Sequence, residues 1–312
     1  MRFIYDSNPI AMKLNLRIAF PLCIFMVTSN LHAQEFEDFV SKYTGANGQG
    51  YMQPLADAFG ANLNSGWYHN AYIRQQGFQL YLGVSAMSAM IPDDNKTFRA
   101  STQGFFTPEQ TAQAATIFGG TEPKYVEGDD GTVFVLPGGL DMQRLPLAVP
   151  NLTIGSLFGT SASFRWMAYD LGDEVGTVSL LGWGLRHSLD SYLPPNPLNV
   201  AVGFYMQQFD VGDVVDASGW LASAQASYQW RMLTFYGGLG YENSTLDIQY
   251  TYEADDSEIA FDLAGNNALR ATLGMTLNLG PVKINTDYNL AHQSIFTLGL
   301  GLGFNETEKL GE

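Results

Sequence analysis

The sequence predicts an all-β fold, a transmembrane antiparallel β-barrel of about twelve strands with a short N-terminal helical plug; about ten or fourteen strands are the alternatives. From Phe296 to Phe304 every second residue is Phe or Leu, and the residues between are Thr or Gly. Successive side chains of a strand point to opposite faces, so one face is continuously apolar. The alternation recurs along the chain, and so many apolar faces need an apolar solvent outside the barrel.

Composition agrees with strands rather than membrane helices. The mean hydropathy is −0.04, and no apolar run beyond the N-terminus approaches the roughly 20 residues of a membrane helix. The formal net charge is −16, which excludes nucleic acid as a partner.

The N-terminus predicts a signal peptide over residues 1–33. Lys13 and Arg17 precede the apolar run 18–27, and a cleavage site follows at Ala33. The alternative, a membrane anchor, needs a longer run. Cys23 is the only cysteine and lies inside this run, so we expect no disulfide and no lipid anchor in the mature chain.

Residues 34–64 are predicted to form the helical plug, because their apolar residues have helical spacing, as in Tyr51, Leu55, Ala58 and Phe59. A periplasmic cap is the alternative placement. The barrel is predicted over residues 65–304, and a periplasmic tail over 305–312.

The first strands of the barrel are predicted at 65–74 and 78–84, with a further strand at 96–106. Pro108 to Phe118 predicts a helix capped by Thr107. The segment 91–149 leaves the strand count open. From Val149 onward the alternation is regular, and the predicted strands cover 151–157, 162–168, 181–186, 198–207, 220–231, 233–250, 269–279, 282–289 and 294–304.

The connections predict the orientation. Turns such as Gly280-Pro281 are short, whereas the connections between them are longer and acidic. Outer-membrane barrels have short periplasmic turns and longer outer loops. We therefore expect an outer-membrane location with both termini in the periplasm. Tryptophans near strand ends, Trp67, Trp166, Trp220 and Trp230 among them, suit interfacial aromatic girdles.

The candidate site residues are charged side chains on the polar parity of the predicted strands: Arg74, Arg165, Arg186, Arg270, Lys283, Asp287 and Glu242. One interpretation is that they pair with acids of the plug or of neighbouring strands and hold the interior together. The other is a polar constriction or a binding site for an anionic head group.

Catalysis and metal binding find little support in the sequence. His69, His187 and His292 are the candidate bases, but nothing joins them to a nucleophile and an orienting group. The acidic loops contain no Asp-x-Asp-x-Asp-Gly calcium motif. We expect no enzyme, no metal and no cofactor.

A family resemblance rests on three short stretches: 60–68 (Gly-Ala-Asn-Leu-Asn-Ser-Gly-Trp-Tyr), 150–155 (Pro-Asn-Leu-Thr-Ile-Gly) and 164–166 (Phe-Arg-Trp). In this order, after a signal peptide, they resemble an uncharacterised family of outer-membrane barrels from Bacteroidota. The chain is more distantly similar in architecture to the FadL-type transporters of hydrophobic compounds, which have an N-terminal hatch and a lateral wall opening.

The resemblance implies passive uptake of a hydrophobic or amphipathic small molecule. The alternative is a non-transporting structural or interaction barrel. In both cases the partners are outer-membrane lipid and lipopolysaccharide, with a hydrophobic small-molecule ligand added in the first. Fold analogy does not decide between them.

Overall fold

A computed structural model describes residues 45–102, 106–170, 176–212, 214–252 and 257–307. The predicted signal peptide, residues 34–44 and most of the predicted tail lie outside these ranges. The elements are α1 (Gly45–Leu63), β1 (Gln76–Met90), β2 (Thr97–Ser101), β3 (Thr111–Ala115), β4 (Lys124–Glu127), β5 (Val133–Leu136), β6 (Arg144–Leu157), β7 (Thr160–Asp170), β8 (Thr177–Ser188), β9 (Asn199–Val211), β10 (Val215–Trp230), β11 (Leu233–Tyr252), β12 (Ser257–Ala264), β13 (Leu269–Leu279), β14 (Val282–Leu290) and β15 (Ile295–Phe304).

The main sheet closes into an antiparallel barrel. The strand order is β10-β9-β8-β7-β6-β1-β15-β14-β13-β11-β12, and β10 also pairs with β11. Ten strands therefore form the barrel and β12 lies outside the ring, where it pairs with the far half of β11. The prediction of twelve strands was wrong and the alternative of ten is correct, because two predicted strands do not join the ring.

One of these is the predicted strand at 65–74. Residues 64–75 contain no strand and run through the barrel lumen, where residues from Ser65 to Ile73 are almost all buried. The barrel therefore begins at Gln76 rather than at residue 65. We call residues 64–75 the lumen segment.

The other predicted strand that does not join the ring, at 96–106, lies in the insertion between β1 and β6. The strands of this insertion form two separate two-stranded sheets, β2-β3 and β4-β5. The predicted helix at 108–118 is wrong, since Thr111–Ala115 is strand β3 and pairs with β2. Backbone pairing with β2 overrides a short helical pattern here.

The outer face of the barrel is an apolar belt. Side chains alternate between exposed outward positions and buried inward ones, as in β15, where Leu300 is 58% exposed and Thr297 is 0% exposed. Rings meet along one edge of the belt, with centroid distances of 5.9 Å for Trp183–Phe204, 6.1 Å for Phe204–Trp220 and 5.6 Å for Trp220–Tyr241.

The opposite edge of the belt carries Phe78, Phe304 and Trp230. At about 3.3 Å per residue and a tilt of about 40°, β10 rises roughly 25 Å between Trp220 and Trp230, which is the height of the lipid-facing band of such barrels.

The two mouths of the barrel differ. At one mouth, two-residue turns at 158–159, 231–232 and 280–281 join three of the strand pairs, and a longer loop at 189–198 joins β8 to β9. Phe158, Gly159, Arg231 and Gly280 adopt positive φ angles in the short turns. We call it the short-turn mouth. The insertion and α1 cover the other, capped mouth, where Asn62 Nδ2 donates to the carbonyl of Leu145 over 2.7 Å.

The described chain starts and ends at opposite mouths. Asn47, near the start of α1, bonds the backbone of Ser101 in the insertion, whereas Phe304 ends β15 at the short-turn mouth. The described ends lie apart because the lumen segment crosses the barrel before the first strand begins. The predicted periplasmic location of both termini concerns residues outside the described ranges and stays a prediction.

Candidate functional site: the lumen and a groove in the wall

Arg270 fixes the point at which α1 ends and the lumen segment begins. Its guanidinium donates to the carbonyls of Ala61 (2.9 Å) and Asn64 (2.9 Å) and to Ser65 Oγ (2.7 Å). Helix C-termini present free carbonyls and attract cations. The Glu242 carboxylate lies 2.8 Å from the same guanidinium, which balances its charge.

Arg165 and Arg186 hold the segment farther along. Arg165 is 0% exposed, and its guanidinium carbon lies 3.8 Å from the ring centroid of Trp67 in a cation–π contact. Arg186 donates to the carbonyl of Asn70 over 2.7 Å. Both arginines thus contact the lumen segment, and neither has a carboxylate partner among the described residues.

The remaining predicted residues are not joined into one cluster. Asp287 accepts hydrogen bonds from Tyr236 (2.8 Å) and Asn289 (2.6 Å), and Lys283 donates to the carbonyl of Gly280 over 3.0 Å. Arg74 was predicted on a wall strand but belongs to the lumen segment, where it lies half-buried at the short-turn mouth.

The C-terminal end contributes a residue that sequence reasoning missed. After Phe304, Asn305 has a φ of 56° and donates to the carbonyl of Phe78 over 2.8 Å. This turn directs Glu306 into the barrel, where it lies 2.8 Å from His69 Nε2. The positive φ at an asparagine is compatible with such a turn, but the sequence carries no signal for the partner.

Glycines on the inner wall make room for the aromatic rings of the lumen. A Cβ at Gly238 would lie 2.4 Å from the Tyr68 hydroxyl, and one at Gly301 would lie 2.6 Å from the Tyr81 ring. A cavity bordered by Tyr68, Arg270 and Asp287 measures only about 10 Å³, the space of roughly one water molecule. At this level the lumen is therefore tightly filled around the segment.

A groove of about 600 Å³ lies on the outside of the wall near the short-turn mouth. It forms where β6 departs from regular pairing with β7, between Gly155 and Leu157. We call it the wall groove, and its lining is Ile154, Gly155, Ser156, Leu157, Phe158, Thr160, Ser161, Ala162, Leu185, His187 and Tyr192.

The wall groove has an apolar side and a polar side. Ile154, Leu157 and Leu185 are exposed outward. On the polar side, His187 Nδ1 lies 2.9 Å from the Thr160 hydroxyl and His187 Nε2 lies 3.1 Å from the Tyr192 hydroxyl. A lipid-facing surface of this kind can bind a molecule that is apolar at one end and polar at the other.

A row of aspartates crosses the strands beyond the aromatic edge at the capped mouth. Asp216 lies directly opposite Asp210 on β9 and Asp247 on β11, and Asp247 lies opposite Asp262 on β12. Partial burial, and then the charges of Asp262 and Asp216, raise the pKa of Asp247 above its ordinary value. Across the described part of the chain, no group of three or more His, Cys, Asp or Glu residues is arranged to hold a metal ion.

Within the described ranges, no helix is both long and apolar enough to span a membrane. A closed antiparallel barrel with an outward apolar belt and aromatic residues at both edges is an outer-membrane β-barrel protein.

The chain belongs to the family of unknown function DUF6588, whose model matches residues 12–304. The predicted membership of an uncharacterised barrel family is thus confirmed. No curated protein matches the chain.

Several solved outer-membrane proteins are similar in part. The outer membrane protease OmpT from Escherichia coli is 8% identical, with 75% of this chain and 98% of that chain covered and a TM-score of 0.31. OmpT, an outer membrane protein of Vibrio cholerae, is 10% identical, with 73% and 100% covered and a TM-score of 0.27. The toluene transporter TbuX of Ralstonia pickettii is 8% identical, with 74% and 89% covered and a TM-score of 0.23. Likenesses this slight carry no argument about activity.

Proposed function

We propose that the protein takes up a hydrophobic or amphipathic small molecule from the outer membrane, and that the molecule first binds in the wall groove. The observation that carries the proposal is the groove itself. It places about 600 Å³ of largely apolar space on the lipid-facing wall, a volume within the range of small-molecule sites. It also reaches Ser161, a residue that faces the lumen.

The closed lumen supports entry from the side. The lumen segment runs through the barrel, where Arg186 and Arg270 donate to its carbonyls at Asn70 and Asn64 and Arg165 lies over the ring of Trp67. A water-soluble solute therefore meets a filled lumen, whereas a membrane-dissolved molecule reaches the groove by diffusion in the lipid.

Native mass spectrometry of the full chain in a mild detergent tests this proposal. We expect a co-purified apolar or amphipathic molecule on the wild type and its loss in Ala162→Trp, which fills the groove. Ala226→Trp is the matched control, because Ala226 is also a half-buried outward residue, on β10. A barrel that carries no such molecule, and binds none when it is added, would contradict the proposal.

A non-transporting structural or interaction barrel is the second candidate, and the filled lumen favours it. In this role lipopolysaccharide meets the aspartate row through divalent cations, and lipid contacts the belt. Complementation of a strain that lacks the gene separates the two functions. If the role is structural, the Ala162→Trp protein restores the integrity of the envelope. If the role is transport, the same variant fails to restore uptake of the ligand.

A further inference from the structure

The floor of the wall groove contains a buried hydroxyl without a partner. Ser161 is 2% exposed and lines the groove, and its Oγ has no hydrogen-bond partner among the described residues. Buried hydroxyl groups are normally hydrogen-bonded, because an unmade bond leaves the desolvation of the group uncompensated. This atom therefore has a free hydrogen bond to give to a molecule in the groove.

A buried arginine lies beside this serine. Arg186 on β8 is directly opposite Ser161 on β7, and both side chains face inward. Opposite residues of an antiparallel pair have Cβ atoms about 5 Å apart. Arg186 donates from one terminal nitrogen to Asn70, but its Nε has no partner in the described structure.

An anionic group would satisfy both residues. A buried guanidinium without a carboxylate is costly, and an anionic oxygen is the partner that its planar donors fit best. A neutral or cationic head group would leave the charge of Arg186 uncompensated. We infer that the wall groove binds a single-chain anionic amphiphile, with its chain along Ile154, Ala162 and Leu185 and its head group directed to Ser161 and Arg186. This inference rests on the function proposed above and adds the class of ligand.

Photoreactive probes test the inference on the full chain in phosphatidylcholine nanodiscs. The probes share a hexadecyl chain and end in a carboxylate, a phosphate, an alcohol or a trimethylammonium group. Labelled peptides are located by mass spectrometry. We expect an anionic probe to label β6 to β8 about tenfold more than the alcohol or the ammonium, the effect of roughly one charge-assisted hydrogen bond. The carboxylate and phosphate arms separate a fatty-acid-like ligand from a phosphate-bearing one.

Variants tie the labelling to the groove. Ala162→Trp should remove it and Ala226→Trp should leave it. Arg186→Lys keeps the charge and should keep the anionic preference, whereas Arg186→Met should lose the preference but still label with the alcohol probe. The comparison of head groups on the wild type needs no variant, so it stands even if Arg186→Met fails to fold.

The outcomes separate the two proposals. Equal labelling by all four probes, or an anionic preference that survives Ala162→Trp, overturns the inference about the head group. Either result leaves the proposed uptake of a hydrophobic or amphipathic molecule intact. If no probe labels the groove, the inference and the proposed uptake fail together.

Discussion

His69 and Glu306 meet inside the barrel at 2.8 Å, although 237 positions separate them in the chain. His69 belongs to the lumen segment, and Glu306 follows the last strand. Both side chains are buried, at 6% and 2% exposure for the residues. The lumen segment is therefore fastened to the C-terminal end of the described chain near the short-turn mouth, and the contact holds the segment in place.

Glu306→Ala should loosen the lumen segment. The change removes the partner of a buried histidine, and one hydrogen bond of this kind contributes about 1–3 kcal/mol. We expect amide hydrogen exchange over residues 66–75 to speed up about tenfold, while exchange in the wall strands stays unchanged. Glu127→Gln is the control, because Glu127 is an exposed residue of the insertion. Unchanged exchange in Glu306→Ala would mean that the contact does not hold the segment.

Arg270→Met should destabilise the barrel. It removes the donor to Ala61, Asn64 and Ser65 and leaves Glu242 buried without its cation. Breaking a buried ion pair from one side costs about 3–5 kcal/mol. We expect the barrel to unfold in detergent at a lower urea concentration than the wild type. The folded fraction is measured on a gel, where folded and heat-denatured barrels migrate differently. The double variant with Glu242→Leu should recover part of the loss.

Arg99→Met serves as the control for that series, since Arg99 is exposed on β2. An Arg270→Met barrel as stable as the wild type would show that the plug contacts contribute nothing to stability.

Leu273→Arg should cost more than Leu279→Arg. Both leucines face outward on β13, but Leu273 is central and Leu279 ends the strand at the short-turn mouth. Arginine on the lipid face costs about 2–4 kcal/mol at the bilayer midplane and about 0–1 kcal/mol near the interface. Urea unfolding in lipid vesicles measures the difference. Equal effects of the two variants would place the belt elsewhere on the wall.

The aspartate row should make the hairpin β11–β12 more stable at lower pH. Asp247 lies beyond the membrane belt, and its pKa is raised from an ordinary value of 3.8. Between the ordinary and the raised pKa the folded state binds more protons than the unfolded state, so the free energy of unfolding rises as the pH falls through this window. Proteolysis of the hairpin at graded pH measures the effect.

Asp247→Asn should protect the hairpin at neutral pH and weaken its pH dependence, because it removes the charge facing Asp216 and Asp262. A wild-type hairpin cleaved at the same rate across this pH range, after correction for protease activity, would contradict the prediction.

The sequence alone determined the barrel and the faces of its strands. Alternation such as that from Phe296 to Phe304 is local, and a period of two fixes which side chains share a face whatever the neighbouring strand is. The same alternation put Arg165, Arg186, Arg270 and Glu242 on the polar face of their strands and so predicted that they lie inside the barrel, where the structure places them. The two-residue turn at 280–281 was also readable, because glycine tolerates the positive φ that the turn requires.

The content of the lumen and the position of the wall groove, in contrast, became visible only in the folded barrel. The sequence of residues 65–74 alternates like that of a strand, but a strand also needs neighbouring strands that pair with its backbone. Here wall side chains such as Arg186 and Thr276 donate hydrogen bonds to the backbone carbonyls instead. The contact of His69 with Glu306 joins residues 237 positions apart, which no local sequence pattern records. The position of Ser161 opposite Arg186 depends on the pairing register of the neighbouring strands β7 and β8.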